Sequence, residues 1–184
     1  RDGRVTGVQT CALPILAAGG DFGVAVGGYA IAVGSGAATL GSEAMSDGDF
    51  ATAVGHAAAA VGEGAVAVGG AQWNDRNGNG QPDVGEATYA NGLQAVAIGG
   101  LAGAEGTGAV ALGSQAAALG EGALAAGRSS VADGEGGTAV GHDSGAFGTD
   151  ASALGRGAQA GADYATALGA TALAKGEGSV AVGT

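Results

Sequence analysis

The chain has few of the residues that build a disulfide framework, an aromatic core or a surface for polyanions. Its single cysteine, Cys11, cannot form a disulfide within the chain. Aromatic residues make up only 4% of 184 residues, so the interior must be built from small side chains. Six lysines and arginines stand against 17 acids, a formal net charge of −11. That balance excludes nucleic acid as a partner, because phosphate binding needs clustered bases.

Long apolar runs are also missing. No stretch approaches 18 apolar residues, so the sequence predicts no membrane-spanning helix. If the protein is held at a membrane, we expect the anchor to lie outside these 184 residues.

Residues 1–16 differ in composition from everything that follows and contain one of only two prolines, Pro14. The stretch from Val5 to Ile15 resembles translated sequencing-adapter read-through. The other interpretation is the end of a signal peptide, since Ala12–Ala18 is apolar and small residues follow it. Either origin excludes residues 1–16 from the predicted fold.

Glycine is abundant, with 42 residues, and it follows a period of seven, not the period of three of collagen. Alanine stands two residues before the repeating position in 19 of 21 cases, the exceptions being Thr39 and Ser46. Apart from Ala162, every repeating position is glycine. These positions are Gly20, Gly27, Gly34, Gly41, Gly48, Gly55, Gly62 and Gly69, then Gly99, Gly106, Gly113, Gly120, Gly127, Gly134, Gly141, Gly148, Gly155, Ala162, Gly169, Gly176 and Gly183.

Each seven-residue unit is predicted to be a short strand followed by a glycine corner. The residues four and two before the glycine are small and share one face of a strand, which places them inside. A coiled coil is excluded. Its heptads need large apolar residues at two positions and disfavour glycine, whereas nearly every seven-residue unit here contains glycine. The sequence therefore predicts an all-β solenoid.

The opposite face of the strands doubles the period and gives a 14-residue repeat. Alternate units carry two apolar residues there, as at Val66 and Val68, whereas the intervening units include Asp47, Glu105 and Lys175. Roughly 10.5 turns would form a rod about 50 Å long. The apolar residues would line up along it as an exposed stripe, which predicts association with further copies without specifying their number.

Four segments in a 14-residue register carry a family resemblance: Ala65-Val-Ala-Val-Gly69, Ala95-Val-Ala-Ile-Gly99, Ala109-Val-Ala-Leu-Gly113 and Ser179-Val-Ala-Val-Gly183. They resemble the head repeats of YadA-like trimeric autotransporter adhesins of Gram-negative bacteria. The resemblance implies a left-handed parallel β-roll, a homotrimer around a three-fold axis, and display on the outer surface. It also implies binding to host matrix, cells or other bacteria. The family motif often has Asn-Ser where this chain has Gln94-Ala95, so no particular matrix ligand is carried over.

Composition and the break in the seven-residue register divide the chain into a leader (1–16), a first block of head repeats (17–69), an insertion (70–94) and a second block (95–184). The insertion contains the spacing of a 12-residue calcium loop, with oxygen ligands, a glycine at the sixth position and a glutamate at the twelfth. The predicted ligands are Asp75, Asn77, Asn79, the Gln81 carbonyl, Asp83 and Glu86, with Gly80 at the turn. The alternative is a polar Asn-Gly turn on a surface excursion.

Other polar and aromatic residues are interpreted as surface features. His56 and His142 each follow a repeating glycine, and a catalytic histidine would need a nucleophile or carboxylate in fixed reach. The acidic corners Asp47-Gly48-Asp49 and Asp133-Gly-Glu135 fit weak cation sites or simple solvation equally well. Trp73, Tyr89 and Tyr164 are candidates for partner contacts, with Trp73 expected to pack the insertion onto the roll.

A non-enzymatic adhesive module is the function predicted from these features. An acyltransferase built on a left-handed β-helix would repeat every six residues, which the sevenfold register contradicts. An ice-binding or purely structural solenoid is the other alternative. Ice binding favours a regular ladder of threonines, whereas here threonine is scattered at Thr39, Thr52, Thr138 and Thr166.

Overall fold

The computed structural model describes residues 17–70 and 87–183, which form a parallel β-solenoid of about eleven turns. Each turn contains one strand of two residues and one of three residues, and no helix occurs in the described residues. The chain therefore offers no helix there that could cross a bilayer.

The two-residue strands form one sheet, here named the short-strand sheet, and the three-residue strands form the long-strand sheet. The short strands are β1 (Ala17–Ala18), β3 (Ile31–Ala32), β5 (Met45–Ser46), β7 (Ala59–Ala60), β9 (Tyr89–Ala90), β11 (Gly103–Ala104), β13 (Ala117–Ala118), β15 (Val131–Ala132), β17 (Gly145–Ala146), β19 (Gln159–Ala160) and β21 (Leu173–Ala174). The long strands are β2 (Val24–Val26), β4 (Ala38–Leu40), β6 (Thr52–Val54), β8 (Val66–Val68), β10 (Val96–Ile98), β12 (Val110–Leu112), β14 (Leu124–Ala126), β16 (Thr138–Val140), β18 (Ser152–Leu154), β20 (Thr166–Leu168) and β22 (Val180–Val182).

Each strand pairs in parallel with the strand one turn away. Ala97 of β10 lies beside Ala111 of β12, and Ala104 of β11 lies beside Ala118 of β13, so one step along either sheet is a 14-residue turn. The all-β class, the parallel solenoid and the 14-residue turn predicted from the sequence are confirmed.

The interior between the two sheets consists almost entirely of alanine. Ala97, Ala104 and Ala111 are completely buried, as are most of the equivalent alanines along the roll, whereas Ala18, Ala25 and Ala181 at its two ends are at least partly exposed. Alanine fits because the sheets approach so closely that a larger side chain would force them apart. The inward direction predicted for the residues two and four before each glycine is therefore confirmed.

Tight turns at two opposite edges connect the sheets. The upstream edge is the set of turns that precede a long strand, starting at residues such as Gly120. The downstream edge is the set that follow a long strand, starting at residues such as Gly127. In both sets the N–H three residues after the start donates to the carbonyl at the start, as Ala123 does to Gly120 at 3.2 Å.

Glycine is favoured at the start of these turns because successive turns stack closely on each other. A Cβ placed on Gly120 would lie within 3 Å of the backbone of Gly134, one turn further along. On the upstream edge this crowding is the reason for glycine, whereas downstream Gly113 also has a φ of +127°. At Ala162, the one exception, the turn keeps its hydrogen bond, with the Ala165 N–H 3.2 Å from the Ala162 carbonyl.

The second residue after each starting position has a left-handed backbone, a feature the sequence analysis missed. Thirteen residues other than glycine have φ between 52° and 61° there, Thr171 and Leu101 among them. Together with the 1-to-4 hydrogen bond, this is the pattern of a type II turn. A signal was present, because seven of these positions hold glycine: Gly36, Gly64, Gly108, Gly122, Gly136, Gly157 and Gly178.

The roll resumes earlier than the predicted insertion boundary of 70–94. Tyr89 pairs with Ala59 in the short-strand sheet, and Gly92 stacks under Gly62 as a regular turn glycine. Residues 87–94 therefore belong to the roll, and the interruption is confined to residues between Gly70 and Ala87. The length of the segment 71–86 is not a multiple of seven, and for that reason counting in sevens from Gly20 does not reach Gly92.

Candidate functional site

The outward residues of the long-strand sheet form a continuous apolar surface, here named the apolar face. It consists of the first and third residues of every long strand, which point away from the alanine interior. Third positions such as Leu112, Leu154 and Leu168 are 36 to 45% exposed. Val180 and Val182 at the last turn are more exposed still. The apolar stripe predicted from the 14-residue pattern is therefore present along the rod.

The outward surface of the short-strand sheet has a mixed composition. Apolar residues such as Leu173 alternate there with Asp47, Glu105 and Lys175. Water solvates such a surface, so the two broad faces of the roll differ in character. The apolar face is the larger candidate for burying surface against another molecule.

The two histidines lie one residue after a glycine on the downstream edge, as predicted. His56 Nδ1 lies 3.1 Å from the Ser42 carbonyl oxygen. His142 Nδ1 lies 3.0 Å from Asp143 Oδ2, and its Nε2 contacts the Arg128 guanidinium one turn earlier. Both rings thus have surface contacts of a structural kind, and no nucleophile stands beside either among these contacts.

The acidic corners make backbone contacts. Asp49 Oδ1 accepts a hydrogen bond of 2.7 Å from the Ser35 N–H, and Asp163 Oδ1 accepts one of 2.8 Å from the Thr149 N–H. Asp133 and Glu135 do not join a larger cluster. Within residues 17–70 and 87–183, no group of three or more His, Cys, Asp or Glu side chains is arranged to hold a metal.

The predicted calcium ligands fall outside the described residues. Asp75, Asn77, Asn79, Gln81, Asp83 and Glu86 all belong to residues 71–86, as does Trp73. Of the other aromatic candidates, Tyr89 is 7% exposed and Tyr164 is 59% exposed. Only Tyr164 is therefore placed to meet a partner directly.

Sequence reasoning missed a separation of charge between the two edges. The first residue after each starting position is often acidic on the upstream edge and never basic there. On the downstream edge it is basic or histidine in four turns and never acidic in the described residues. The sequence shows this difference when the residue after each repeating glycine is compared between odd-numbered and even-numbered 7-residue units.

Comparison with known protein families agrees with this architecture. The family model of the YadA head domain repeat matches well over half of the chain, at residues 46–71, 84–102, 90–116, 104–130, 118–144, 132–158, 146–172 and 160–184. A solved structure described as the collagen-binding domain of the Yersinia adhesin YadA is similar to this chain. The alignment covers 90% of this chain and 68% of the YadA chain. Its sequence identity is 22% and its TM-score 0.45. No curated protein matches the chain.

Proposed function

This chain belongs to the YadA head-domain repeat family, and we propose that it is the non-enzymatic head of a trimeric adhesin on the surface of a Gram-negative bacterium. In that role it attaches the cell to host matrix, host cells or other bacteria. The observation that carries the proposal is the apolar face. It runs the length of the rod, and none of the described residues covers it.

Burial of this face favours association physically. Removing a valine, leucine or isoleucine side chain from water contributes about 1.5–3 kcal/mol when burial is complete. The long strands supply such residues at nearly every turn, whereas the alanine interior contributes little per residue. Folding and assembly are therefore expected to be coupled.

A cyclic arrangement buries the face on every copy. Copies whose rods run parallel and whose apolar faces point to a common axis leave no copy with an exposed stripe. Family membership supports three as the number of copies. The mixed outer surface of the short-strand sheet then faces water and the ligand.

An ice-binding solenoid is less well supported by the positions of the threonines. On the apolar face of the described residues, threonine occurs at Thr52, between Ala38 and Val66, and at Thr138 and Thr166, which lie on either side of Ser152. Thr39 points into the interior and is 1% exposed. A regular threonine ladder is therefore not present on this face, and we expect no thermal hysteresis in an ice-growth assay.

Two leucines give a matched test of the apolar face. Leu168 lies on it and is 45% exposed, and Leu173, half a turn away on the short-strand sheet, is 47% exposed. We expect Leu168→Glu to lower the mass measured by sedimentation equilibrium from trimer toward monomer, and Leu173→Glu to leave the trimer intact. A monomeric wild-type protein, or equal effects of the two variants, would contradict the proposal.

The ligand is tested on the trimeric protein. Binding to immobilised matrix proteins, collagen among them, is measured for the wild type and for Leu173→Glu, a change on the outer surface of the short-strand sheet. Saturable binding to one of them supports an adhesive role. Absence of binding to matrix proteins, host cells and sister bacteria alike would favour a purely structural solenoid.

We further propose that residues 75–86 bind calcium in a structural role. The support is the spacing of the oxygen ligands, in which carboxylates or amides stand at the first, third, fifth and ninth positions and Glu86 at the twelfth. With few carboxylates, the expected Kd is on the order of 10⁻⁴ to 10⁻³ M, as in extracellular modules. Calorimetric titration with calcium tests this, with Glu86→Gln expected to abolish the heat and Glu177→Gln to preserve it. A wild-type chain that takes up no calcium would refute the site.

A further inference from the structure

The first turn residues on the two edges of the roll carry charges of opposite sign. One residue after the starting position, the upstream edge carries acids at seven turns: Asp21, Asp49, Glu63, Glu121, Glu135, Asp163 and Glu177. The same position on the downstream edge carries His56, Arg128, His142 and Arg156 and, in the described residues, no acid. Three of these four follow each other in consecutive turns.

The opposite charges also match in height along the rod. Successive turns rise by ~4.8 Å, so each downstream turn lies ~2.4 Å above one upstream turn and the same distance below the next. At every basic position both neighbouring upstream turns carry an acid, which is the first residue after the start or, in the turn that starts at Gly148, the second residue, Asp150. His56 lies level with the gap between Asp49 and Glu63, Arg128 between Glu121 and Glu135, His142 between Glu135 and Asp150, and Arg156 between Asp150 and Asp163.

These charges do not pair within one chain, because the edges lie on opposite sides of the roll. The one salt bridge among the described residues joins His142 to Asp143, its neighbour on the same edge. Arg128 contacts the His142 ring, and no described carboxylate lies within 4.0 Å of the Arg128 or Arg156 guanidinium. Both arginines are therefore available to a second molecule.

We infer that the upstream edge of one copy binds the downstream edge of the next, so that Arg128 and Arg156 form ion pairs between subunits. This inference rests on the proposed oligomer and specifies its contacts. The apolar face lies between the two edges. When parallel rods turn this face to a common axis, rotation brings the upstream edge of each copy against the downstream edge of its neighbour. Cyclic symmetry also keeps equivalent residues at equal height, which is the register in which the charges match.

The same alignment accounts for an uncharged level of the rod. Leu101 is the second residue after Gly99 on the downstream edge, and in the upstream turns beside it the first residues after Gly92 and Gly106 are Leu93 and Thr107. Leu93 is 45% exposed in the single chain. An apolar residue thus meets an apolar one at the level where the ion pairs are interrupted. An antiparallel pair would instead place charges of one sign together, so the edges select parallel, in-register assembly.

Cysteine cross-linking tests the contact on the full chain, with Cys11→Ser as background. Glu121→Cys with Arg128→Cys should give covalent dimers and trimers with a short bis-maleimide, because the two sites meet only between subunits. The matched control is Glu177→Cys with Arg128→Cys, whose sites differ in height by 3.5 turns, roughly 17 Å. Arg128→Cys alone is the second control. Neither control should cross-link.

Charge inversion gives a second readout that needs no new cysteine. Arg128→Glu with Arg156→Glu should raise the protein concentration at which half of the oligomer dissociates at least about tenfold at low salt. Adding Glu121→Lys, Glu135→Lys and Asp163→Lys to the same chain should restore most of the affinity.

The outcomes separate this inference from the proposed function. A wild-type chain that sediments as a monomer would overturn both. A wild-type trimer without cross-linking between positions 121 and 128, or with equal cross-linking in the height-mismatched control, would overturn the edge contact alone. If the cysteine variants do not assemble, unchanged dissociation of the charge-inverted variant would overturn it equally.

Discussion

Thr39 Oγ1 lies 2.9 Å from Ser46 Oγ across the interior of the roll. These residues are the two exceptions to alanine at the position two before the turn glycine, and they face each other from the long-strand and short-strand sheets. Thr39 Oγ1 also lies 2.9 Å from the Ile31 carbonyl oxygen, and Ser46 Oγ lies 3.0 Å from that of Ala38. Each hydroxyl is therefore satisfied although both residues are almost completely buried.

Substitutions at this pair are predicted to be non-additive. Thr39→Ala and Ser46→Ala should each cost about 0.5–1.5 kcal/mol, because each removes the hydrogen bond between the two hydroxyls while the remaining hydroxyl keeps its carbonyl partner. The double variant restores the all-alanine interior of the other turns and should cost clearly less than the sum. A double-mutant cycle on the free energy of unfolding measures the coupling, expected at about 0.5–3 kcal/mol. The cycle of Ser46→Ala with the distant Ser130→Ala should be additive, and additivity in both cycles would contradict the coupling.

Two glycines of one turn should respond differently to alanine. Gly120 has an ordinary φ, but an added Cβ would overlap the backbone of Gly134. Gly122 has a φ of +64° with no atom within 4 Å of the added Cβ. Gly120→Ala is therefore expected to destabilise the protein by at least about 2–3 kcal/mol, through forced separation of the turns. Gly122→Ala should cost about 1 kcal/mol, the backbone term alone. Denaturant unfolding ranks the two variants, and a larger loss at Gly122 would show that stacking is not the reason for the turn glycines.

Glycine in place of Thr171 is predicted to stabilise the protein. Thr171 is exposed and β-branched, and its φ of 57° lies in a region that such residues avoid. Relief of about 1–2 kcal/mol is offset in part by the greater freedom of glycine in the unfolded chain, about 0.4–1 kcal/mol. The net gain should raise the Tm by about 1–3 °C. The control Thr166→Gly in strand β20 should lower it, since glycine weakens a strand that has ordinary φ. A lower Tm for the Thr171 variant would contradict the strain.

The sequence predicted the period, the inward alanines and the apolar face because each depends on strand alternation and a strict repeat. It did not predict the left-handed residue in each turn, since larger side chains such as Leu101 and Gln115 mask the glycine preference at that position. The Thr39–Ser46 contact was also out of reach. A spacing of seven identifies two exceptions but not that their side chains meet, which depends on how closely the two sheets approach.

The boundary of the insertion was missed for a reason of arithmetic. Gly92 lies seven residues before Gly99 and has Ala90 two residues before it, which is the regular pattern. A count in sevens from Gly69 does not reach Gly92, because the two glycines are 23 residues apart. When the residues of the segment 71–86 are left out of the count, Gly92 lies seven residues after Gly69 and the 14-residue pairing continues across the insertion.

Removal of residues 71–86 should therefore leave the roll intact. Val96 of β10 pairs with Val110 of β12 across a regular 14-residue turn, whereas its pairing with Val66 of β8 spans a turn that is longer by this segment alone. The deletion joins Gly70 to Ala87 and gives every turn the same length. Ala87 then occupies the left-handed turn position, where Ala57 is already tolerated with a φ of 53°. We expect a folded trimer with an unchanged oligomeric state in sedimentation and no calcium binding by calorimetry.

Deletion of one residue more is the matched control. Without residues 71–87 the chain after Gly70 is one residue out of register, and a shift of one exchanges the inward and outward faces of a strand. Thr88 and Ala90 would leave the interior and Tyr89 would enter it, where the spacing of the two sheets admits only small side chains. The longer deletion should therefore lose the cooperative unfolding transition of the full chain or show it at a much lower denaturant concentration. If both deletions behave alike, the 14-residue register does not continue across the insertion.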